Sequence, residues 1–276
     1  MQTTPKANNI LACFFAFLGA VVMLAIATFV TASTSKQVED VSSLAVPRTG
    51  HAAIALSDGR VMITGGRDAA GNLVNVSEIF DPATKTSTAS ATLTTARADH
   101  TATLLADGRV LVAGGTGGSG ALSSAEIFDP ANAGAGFQTV GSAMTAARSG
   151  HTATLLNNRS VLIAGGEDTG TAEIFNPATQ TFSPTLWNLT VARSGHTATL
   201  FTDDSVLLAG GNVDSMETFT PADQKFTLDQ ATMSVVRTGI GRSSLAIRAC
   251  SCSRATRETQ STSIIPRLAR SRLRAA

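Results

Sequence analysis

Four times along the chain a short stretch in which small or polar residues alternate with larger apolar ones is followed by a polar turn and then by a more continuously apolar stretch. The alternating segments are TATLL (101–105), TATLL (152–156) and TATLF (197–201), with the wholly apolar AAIAL (52–56) at the same place in the first copy. A period of two sends successive side chains to opposite faces, so each segment predicts a strand. The turns SDGR (57–60), ADGR (106–109), NNRS (157–160) and TDDS (202–205) lead into VMITGG, VLVAGG, VLIAGG and VLLAGG. These second strands end in the glycine pairs Gly65-Gly66, Gly114-Gly115, Gly165-Gly166 and Gly210-Gly211. A glycine pair lets neighbouring backbones approach closely, or lets the chain leave a strand through positive φ. After a loop that differs in length in each copy come the third strands SEIFDPAT, AEIFDPAN, AEIFNPAT and METFTPAD. Asp81-Pro82, Asp129-Pro130 and Asn176-Pro177 start turns, because Asp and Asn cap local N–H groups and proline ends ladder pairing. A weaker fourth strand closes each unit.

The four histidines of the chain, His51, His100, His151 and His196, lie 49, 51 and 45 residues apart, each three residues after an arginine: Arg48, Arg97, Arg148 and Arg193. RSGHTATL at 148–155 recurs letter for letter at 193–200. A catalytic histidine is needed once per active site, so verbatim duplication argues for a repeated structural unit. Four short antiparallel strands per 45–50 residues is the signature of a propeller blade. The expected fold is an all-β propeller over residues 41–239, with repeats at about 48–96, 97–147, 148–192 and 193–236. Residues 41–51 match the fourth-strand exit of a preceding blade, so the expectation is four complete blades and part of a fifth, an open arc rather than a closed ring.

These residues resemble the kelch repeat in its bacterial form, R-x-G-H-T-A-T-L-L-x-D-G-R-V-L-V-A-G-G followed by E-I-F-D-P-A-T, and the resemblance runs over residues 41–239 in four registered copies. It implies that the histidine-bearing strand lines the central channel and that the strand after E-I-F-D-P lies outermost. The usual fourth-strand tryptophan is missing from most copies; Phe137, Phe182 and Phe226 stand in for it, with Trp187 a little further along. The family is similar to the propeller of galactose oxidase, whose copper-radical chemistry needs tyrosine. This chain has no tyrosine, which excludes that mechanism whatever the fold.

The recurring polar residues have structural expectations. One acid recurs on each third strand, Glu78, Glu126, Glu173 and Glu217. A lone buried charge is very costly, so each is expected to pair with one of the recurring arginines as a clamp between blades, the alternative being a solvated rim. Histidines at equivalent places around a ring spread apart, which argues against a shared metal. AGGTGGSG (113–120) has no lysine after it and links two strands, so it is a hairpin loop and not a phosphate loop. No cofactor and no metal is expected. The copies differ in their loops at 67–75, 116–123, 167–170 and 212–215, and loops on a rigid ring are where recognition is placed. Arg67, Asp68, Asn72, Glu167, Asp168, Asn212 and Asp214 are the candidate recognition residues. The content of these loops is small, polar and acidic, without an aromatic anchor, which suits a weak polar ligand or a cation better than a tight protein hot spot; the expected partner is a protein or a carbohydrate. The expected function is non-catalytic binding or scaffolding; the alternative is a fragment of a larger secreted propeller enzyme whose active site lies in blades outside this sequence.

Composition refines the picture at the two ends. The net charge of +1 conceals an acidic body and a basic tail, because residues 242–276 carry eight arginines against the single Glu258. Nucleic-acid binding is not expected of an exported protein. Export is the expectation because residues 10–30 are an uncharged apolar run after Lys6, followed by small residues. Residues 1–32 thus read as a cleaved signal peptide or as a retained membrane helix, and 33–40 as a linker. Cys13, Cys250 and Cys252 all lie outside the repeats, so no disulfide framework holds them.

Residues 240–276 read as a fifth repeat translated out of frame and therefore without ordered structure. Arg237-Thr238-Gly239 repeats Arg48-Thr49-Gly50, yet Ile240 stands where histidine is due. Combining each codon's third base with the next codon's first two permits histidine at 240, aspartate at 247 and glycine at 255, although not at 254, and requires Val, Leu or Met at 250 and 252. Over 263–271 it permits IYNPATGTF, in register with IFNPATQTF at 174–182.

Overall fold

Each quartet of strands seen in the sequence forms one antiparallel sheet, ordered from the first strand to the fourth. The computed structural model describes residues 43–166 and 170–236. The apolar run at 10–30 with its expected helix, the linker at 33–40, the tail at 240–276, and Glu167 and Asp168 lie outside the described residues. The chain divides at Val41/Ser42, and every described residue belongs to the second unit.

Blade 1 comprises β1 (Ala52–Ala55), β2 (Val61–Thr64), β3 (Val76–Asp81) and β4 (Thr86–Thr92). Blade 2 comprises β5 (Thr101–Leu104), β6 (Val110–Ala113), β9 (Ala125–Phe128) and β10 (Phe137–Thr139), with a small hairpin of β7 (Thr116–Gly117) and β8 (Gly120–Ala121) inserted before β9. Blade 3 comprises β11 (Thr152–Leu155), β12 (Val161–Ala164), β13 (Ala172–Asn176) and β14 (Thr181–Pro184). Blade 4 comprises β15 (Thr197–Leu200), β16 (Val206–Ala209), β17 (Ser215–Thr220) and β18 (Lys225–Thr232). A single short 3-10 turn, Pro130–Ala135, is the one helical element among the described residues. Successive first strands pack side by side, β1 on β5, β5 on β11 and β11 on β15. The result is four consecutive blades of an incomplete propeller. The AGGTGGSG segment is the β7–β8 hairpin, as its sequence implied.

The hydrophobic cores lie between blades. Ile54, Leu56, Met62 and Ile79 of blade 1 meet Val110, Val112, Phe128 and Phe137 of blade 2. Leu105, Leu111 and Ile127 of blade 2 meet Val161, Ile163, Phe175 and Phe182 of blade 3. Leu156, Leu162 and Leu189 of blade 3 meet Val206, Leu208, Phe219 and Phe226 of blade 4. Each inner blade is therefore covered on both faces, which explains the unbroken apolar second strands. All four residues of β6 and of β12 are buried, whereas β2 and β16, in the end blades, each keep one residue half-exposed. Where the family tryptophan is absent, Phe137, Phe182 and Phe226 tilt onto Phe128, Phe175 and Phe219 at centroid separations of 5.0, 4.8 and 4.8 Å. Blade 1 has Ser87 in that place, opposite Phe80, and Trp187 lies on the surface.

The two glycine positions of the motif answer to different forces. In the first hairpin, Gly59 adopts φ +87° with no heavy atom within 4 Å of where a Cβ would stand; Arg159 and Asp204 fill the equivalent place in blades 3 and 4 with φ of 70° and 69°. At the glycine pair, a Cβ on Gly114 would lie 2.6 Å from the Arg148 carbonyl and 2.7 Å from the His151 ring, at φ +60°. Gly59→Ala should therefore cost about 1 kcal/mol, the left-handed penalty alone, and Gly114→Ala about 3 kcal/mol or more, since overpacking adds to it. Urea denaturation of the two variants checks the difference; equal losses would contradict the close approach of blade 3 to Gly114.

Candidate functional site

The arginine and glutamate of each repeat meet beneath the segment that enters the blade. Arg48–Glu78, Arg97–Glu126, Arg148–Glu173 and Arg193–Glu217 are ion pairs of 2.5, 2.8, 2.7 and 2.6 Å, with side chains all but removed from solvent. The arginine's second nitrogen donates to the carbonyl of the first glycine of the pair, Gly65, Gly114, Gly165 or Gly210, and to a carbonyl at or just before the third strand. The carboxylate accepts backbone N–H groups of the entering segment: Thr94 and Thr95 on Glu126, Thr145 and Ala146 on Glu173, Thr190 and Val191 on Glu217, and Ala45 on Glu78. The pairs thus join parts of one repeat, and their carboxylates pin the connection arriving from the blade before. Burial alone would raise the Glu78 carboxyl, but donation from the Ala45 N–H and the Ser87 hydroxyl, together with Arg48, brings it below the ordinary glutamate value. Burial lowers the Arg97 and Arg148 guanidinium values, and their glutamates oppose that shift.

The contact between blades uses the same arginine's main chain. Gly66, Gly115 and Gly166 donate N–H to the carbonyls of Arg97, Arg148 and Arg193 of the next blade, at 2.8, 2.9 and 2.9 Å. A second series runs along the inner ends: Asp99 N–H to the Gly50 carbonyl, Gly150 to Asp99 and Gly195 to Gly150. The histidines complete the joint, each Nε2 reaching a threonine hydroxyl of the preceding blade. His151 bonds Thr101 and His196 bonds Thr152, both at 2.9 Å, while His100 bonds Thr64 at 2.8 Å. His51, at the start of blade 1, is half-buried. Thr64 is the member that sequence reading missed. Blade 1 has Ala52 where Thr101 and Thr152 stand, but Ala52 faces Thr64 across the hairpin just as Thr101 faces Ala113 and Thr152 faces Ala164. The hydroxyl has moved to the opposite strand and serves the same histidine position. The exchange of Ala and Thr between these paired positions is the signal that could have found it.

Antiparallel order puts the loops between second and third strands at the same end as the connections between blades. That end carries most of the variation, the 3-10 turn Pro130–Ala135 of blade 2 lying at the other. Their roots are fixed, Arg67 bridging Thr49 and Thr116 bridging Ala98. In blade 1 the Asp68 carboxylate accepts N–H groups of Ala70 and Asn72 and the Asn72 side-chain amide, which lowers its value, and Arg67 donates to the Gly71 carbonyl. Arg67, Asp68 and Asn72 therefore brace one another's loop, with Asn72 exposed at its tip. In blade 4, Asn212 holds φ +68° and is exposed, as is Asp214. Among the described residues no group of three or more His, Cys, Asp or Glu side chains could hold a metal ion, and no helix is long and apolar enough to cross a membrane.

Two outcomes test the joint. Arg97→Met should cost about 3–5 kcal/mol by leaving Glu126 buried and unpaired, whereas Arg97→Met with Glu126→Leu should recover much of it; denaturation midpoints decide, and additive losses would show that the two side chains are not coupled. Thr64→Ala should cost about 1–3 kcal/mol, and adding Ala52→Thr should restore most of it. If Ala52→Thr gives no rescue, the exchanged hydroxyl is not serving His100.

The sequence model of the KLHDC2/KLHL20/DRC7 Kelch-repeats domain matches residues 22–240. Among solved structures, one described as the structure of YjhT superposes with a TM-score of 0.59, at 17% identity, covering 72% of this chain and 70% of that one. At that identity the likeness concerns the fold alone. No curated protein matches the chain. With the strand order, the arginine and histidine joints and the family match in agreement, the chain belongs to the kelch-repeat family.

Proposed function

We propose that the protein is a non-catalytic, exported binding module that presents the variable loop end of its blades to a polar partner, a protein surface or a carbohydrate. Kelch propellers serve in general as binding and scaffolding domains, and the family match supports that much directly. One observation carries the finer reading. The recurring charged side chains are committed to the joints, Arg97 to Glu126 and its counterparts likewise, so chemical variety is left to the loops at one end. The exposed polar groups there, Asn72, Asn212 and Asp214, are short and carry no aromatic anchor, which suits hydrogen-bonded recognition of a polar surface more than an apolar hot spot. Export rests on the apolar run at 10–30 and the small residues after it.

Screening the purified protein against a glycan array and against a display library of peptides tests the reading. A hit should weaken at least about tenfold on Asn212→Ala with Asp214→Ala, a loss of about 1.4 kcal/mol, with the melting temperature unchanged. A hydrolytic or transfer activity that disappears in the same variant would instead favour an enzyme. Retention of a fused alkaline phosphatase reporter in the cytoplasm by residues 1–40 would refute export.

A further inference from the structure

Blade 4 ends in the surface that blades 1 to 3 offer to their successors. Its inner strand opens with Thr197, the counterpart of Thr101 and Thr152, whose hydroxyls take the histidine of the next blade. The Thr197 hydroxyl lies 3.4 Å from the Ala209 carbonyl, as that of Thr101 lies 3.5 Å from the Ala113 carbonyl, so it is turned the same way. Gly210 and Gly211 have φ of 76° and 85°, close to the 66° and 91° of Gly165 and Gly166, which receive blade 4. The Gly195 carbonyl follows Gly50, Asp99 and Gly150, each of which accepts from the repeat after it. Leu56, Leu105 and Leu156 are buried against the next blade, and Phe201 occupies that place in blade 4 but is 41% exposed. Leu207, the counterpart of the buried Met62, Leu111 and Leu162, is half-exposed on the same face, where Thr218 pairs with it in place of Ile79, Ile127 and Ile174. The hydrogen-bonding positions match a joint, and Phe201 and Leu207 stand where its apolar contacts are made.

We infer that this face is the docking surface for a fifth blade of the same chain, encoded by the codons of residues 240–276 read in the frame from which one nucleotide has been lost after Gly239. The inference is independent of the binding function proposed above. The occupant is specified by the chemistry of the face together with the codons. The face needs an arginine carbonyl for Gly211 and a histidine three residues later for Thr197. Arg237 stands in the sequence where the first is due, and the shifted frame permits histidine at position 240, where the chain has Ile240. The same frame requires apolar residues at 250 and 252, where a second strand must cover Phe201 and Leu207. It permits IYNPATGTF at 263–271, in register with the third strand and turn of blade 3. One shift satisfies the histidine, the second strand and the third strand at their proper offsets, although position 254, where the first glycine of the pair falls, cannot be glycine. Isoleucine has no polar nitrogen to meet the Thr197 hydroxyl.

The nucleotide sequence through codon 276 is the first test, and it does not depend on folding. The inference requires an open shifted frame that spells an apolar second strand at 250–253 and an Asn-Pro turn at 265–266; a stop codon before codon 271, or other residues at these places, overturns it. The second test inserts one nucleotide after codon 239 and compares the restored chain with the present one. Restoration should lower the fluorescence of 8-anilinonaphthalene-1-sulfonate by about half or more, as Phe201 and Leu207 become covered, and should raise the melting temperature. Thr197→Val should shift the melting temperature by less than about 1 °C in the present chain and lower it by about 3 °C in the restored one, the effect expected of one lost hydrogen bond in a domain of this size. Equal shifts in both backgrounds, or unchanged dye binding on restoration, would show that no fifth blade docks there.

Discussion

A four-stranded blade has two apolar faces and covers neither of them itself, so every blade depends on correct seating against its neighbours. One residue type sets that seating. The arginine at the head of each repeat gives its guanidinium to the glutamate of its own third strand, and in blades 2 to 4 its carbonyl to the preceding blade's second glycine. The glutamate then fastens the incoming connection. A buried ion pair gains little over apolar residues of the same shape, because desolvation offsets much of the attraction. The interblade clusters of Leu, Val, Ile and Phe supply the stabilisation, at about 1.5–3 kcal/mol for each large side chain fully buried. The pairs fix where the blades meet; the clusters make the meeting favourable.

The parts of this arrangement that were legible in the sequence are those that recur and whose physics is local. Strand order followed from alternation, turns and glycine pairs. The pairing of Arg97 with Glu126 followed from two buried-type charges recurring at matched places. The direction of the clamp was not legible, because nothing in the spacing says that both partners belong to one repeat while the carboxylate holds the connection from another. Thr64 escaped because its role depends on cross-strand register, which makes it a neighbour of Ala52 at a distance of twelve residues along the chain. The loops were the least legible. Asp68 was read as a recognition residue, and its carboxylate is largely engaged with Ala70 and Asn72 of its own loop; that depends on a turn at Gly71 that the residue types alone do not dictate.

The two ends of the blades divide the work. The hairpins between first and second strands and between third and fourth strands close with short Asp or Asn turns: Asp58 and Asp107 hold the N–H groups of Arg60 and Arg109, and Asp81 and Asn176 those of Ala83 and Ala178. Apart from the longer connection of blade 2 that holds the 3-10 turn, variation in length lies at the opposite end, where the loops of blades 1 and 2 spring from a bridge to the connecting segment of their own blade. A fixed root with a free tip lets the loop change without disturbing the joint beneath it.

The joint also bears on how such a chain grows. Every atom in it comes from one repeat or from the repeat next to it, and blades 3 and 4 build theirs from the identical octapeptide RSGHTATL. A duplicated segment of the gene therefore arrives with both halves of its interface already matched, one to the copy behind it and one to the copy ahead. No new surface has to be invented for the tandem array to lengthen. The same economy has an evolutionary hazard: units that fit any neighbour carry no mark of their order. In this chain the differences among SDGR, ADGR, NNRS and TDDS, among the loops, and at positions such as Thr64 and Ser87 distinguish one copy from another.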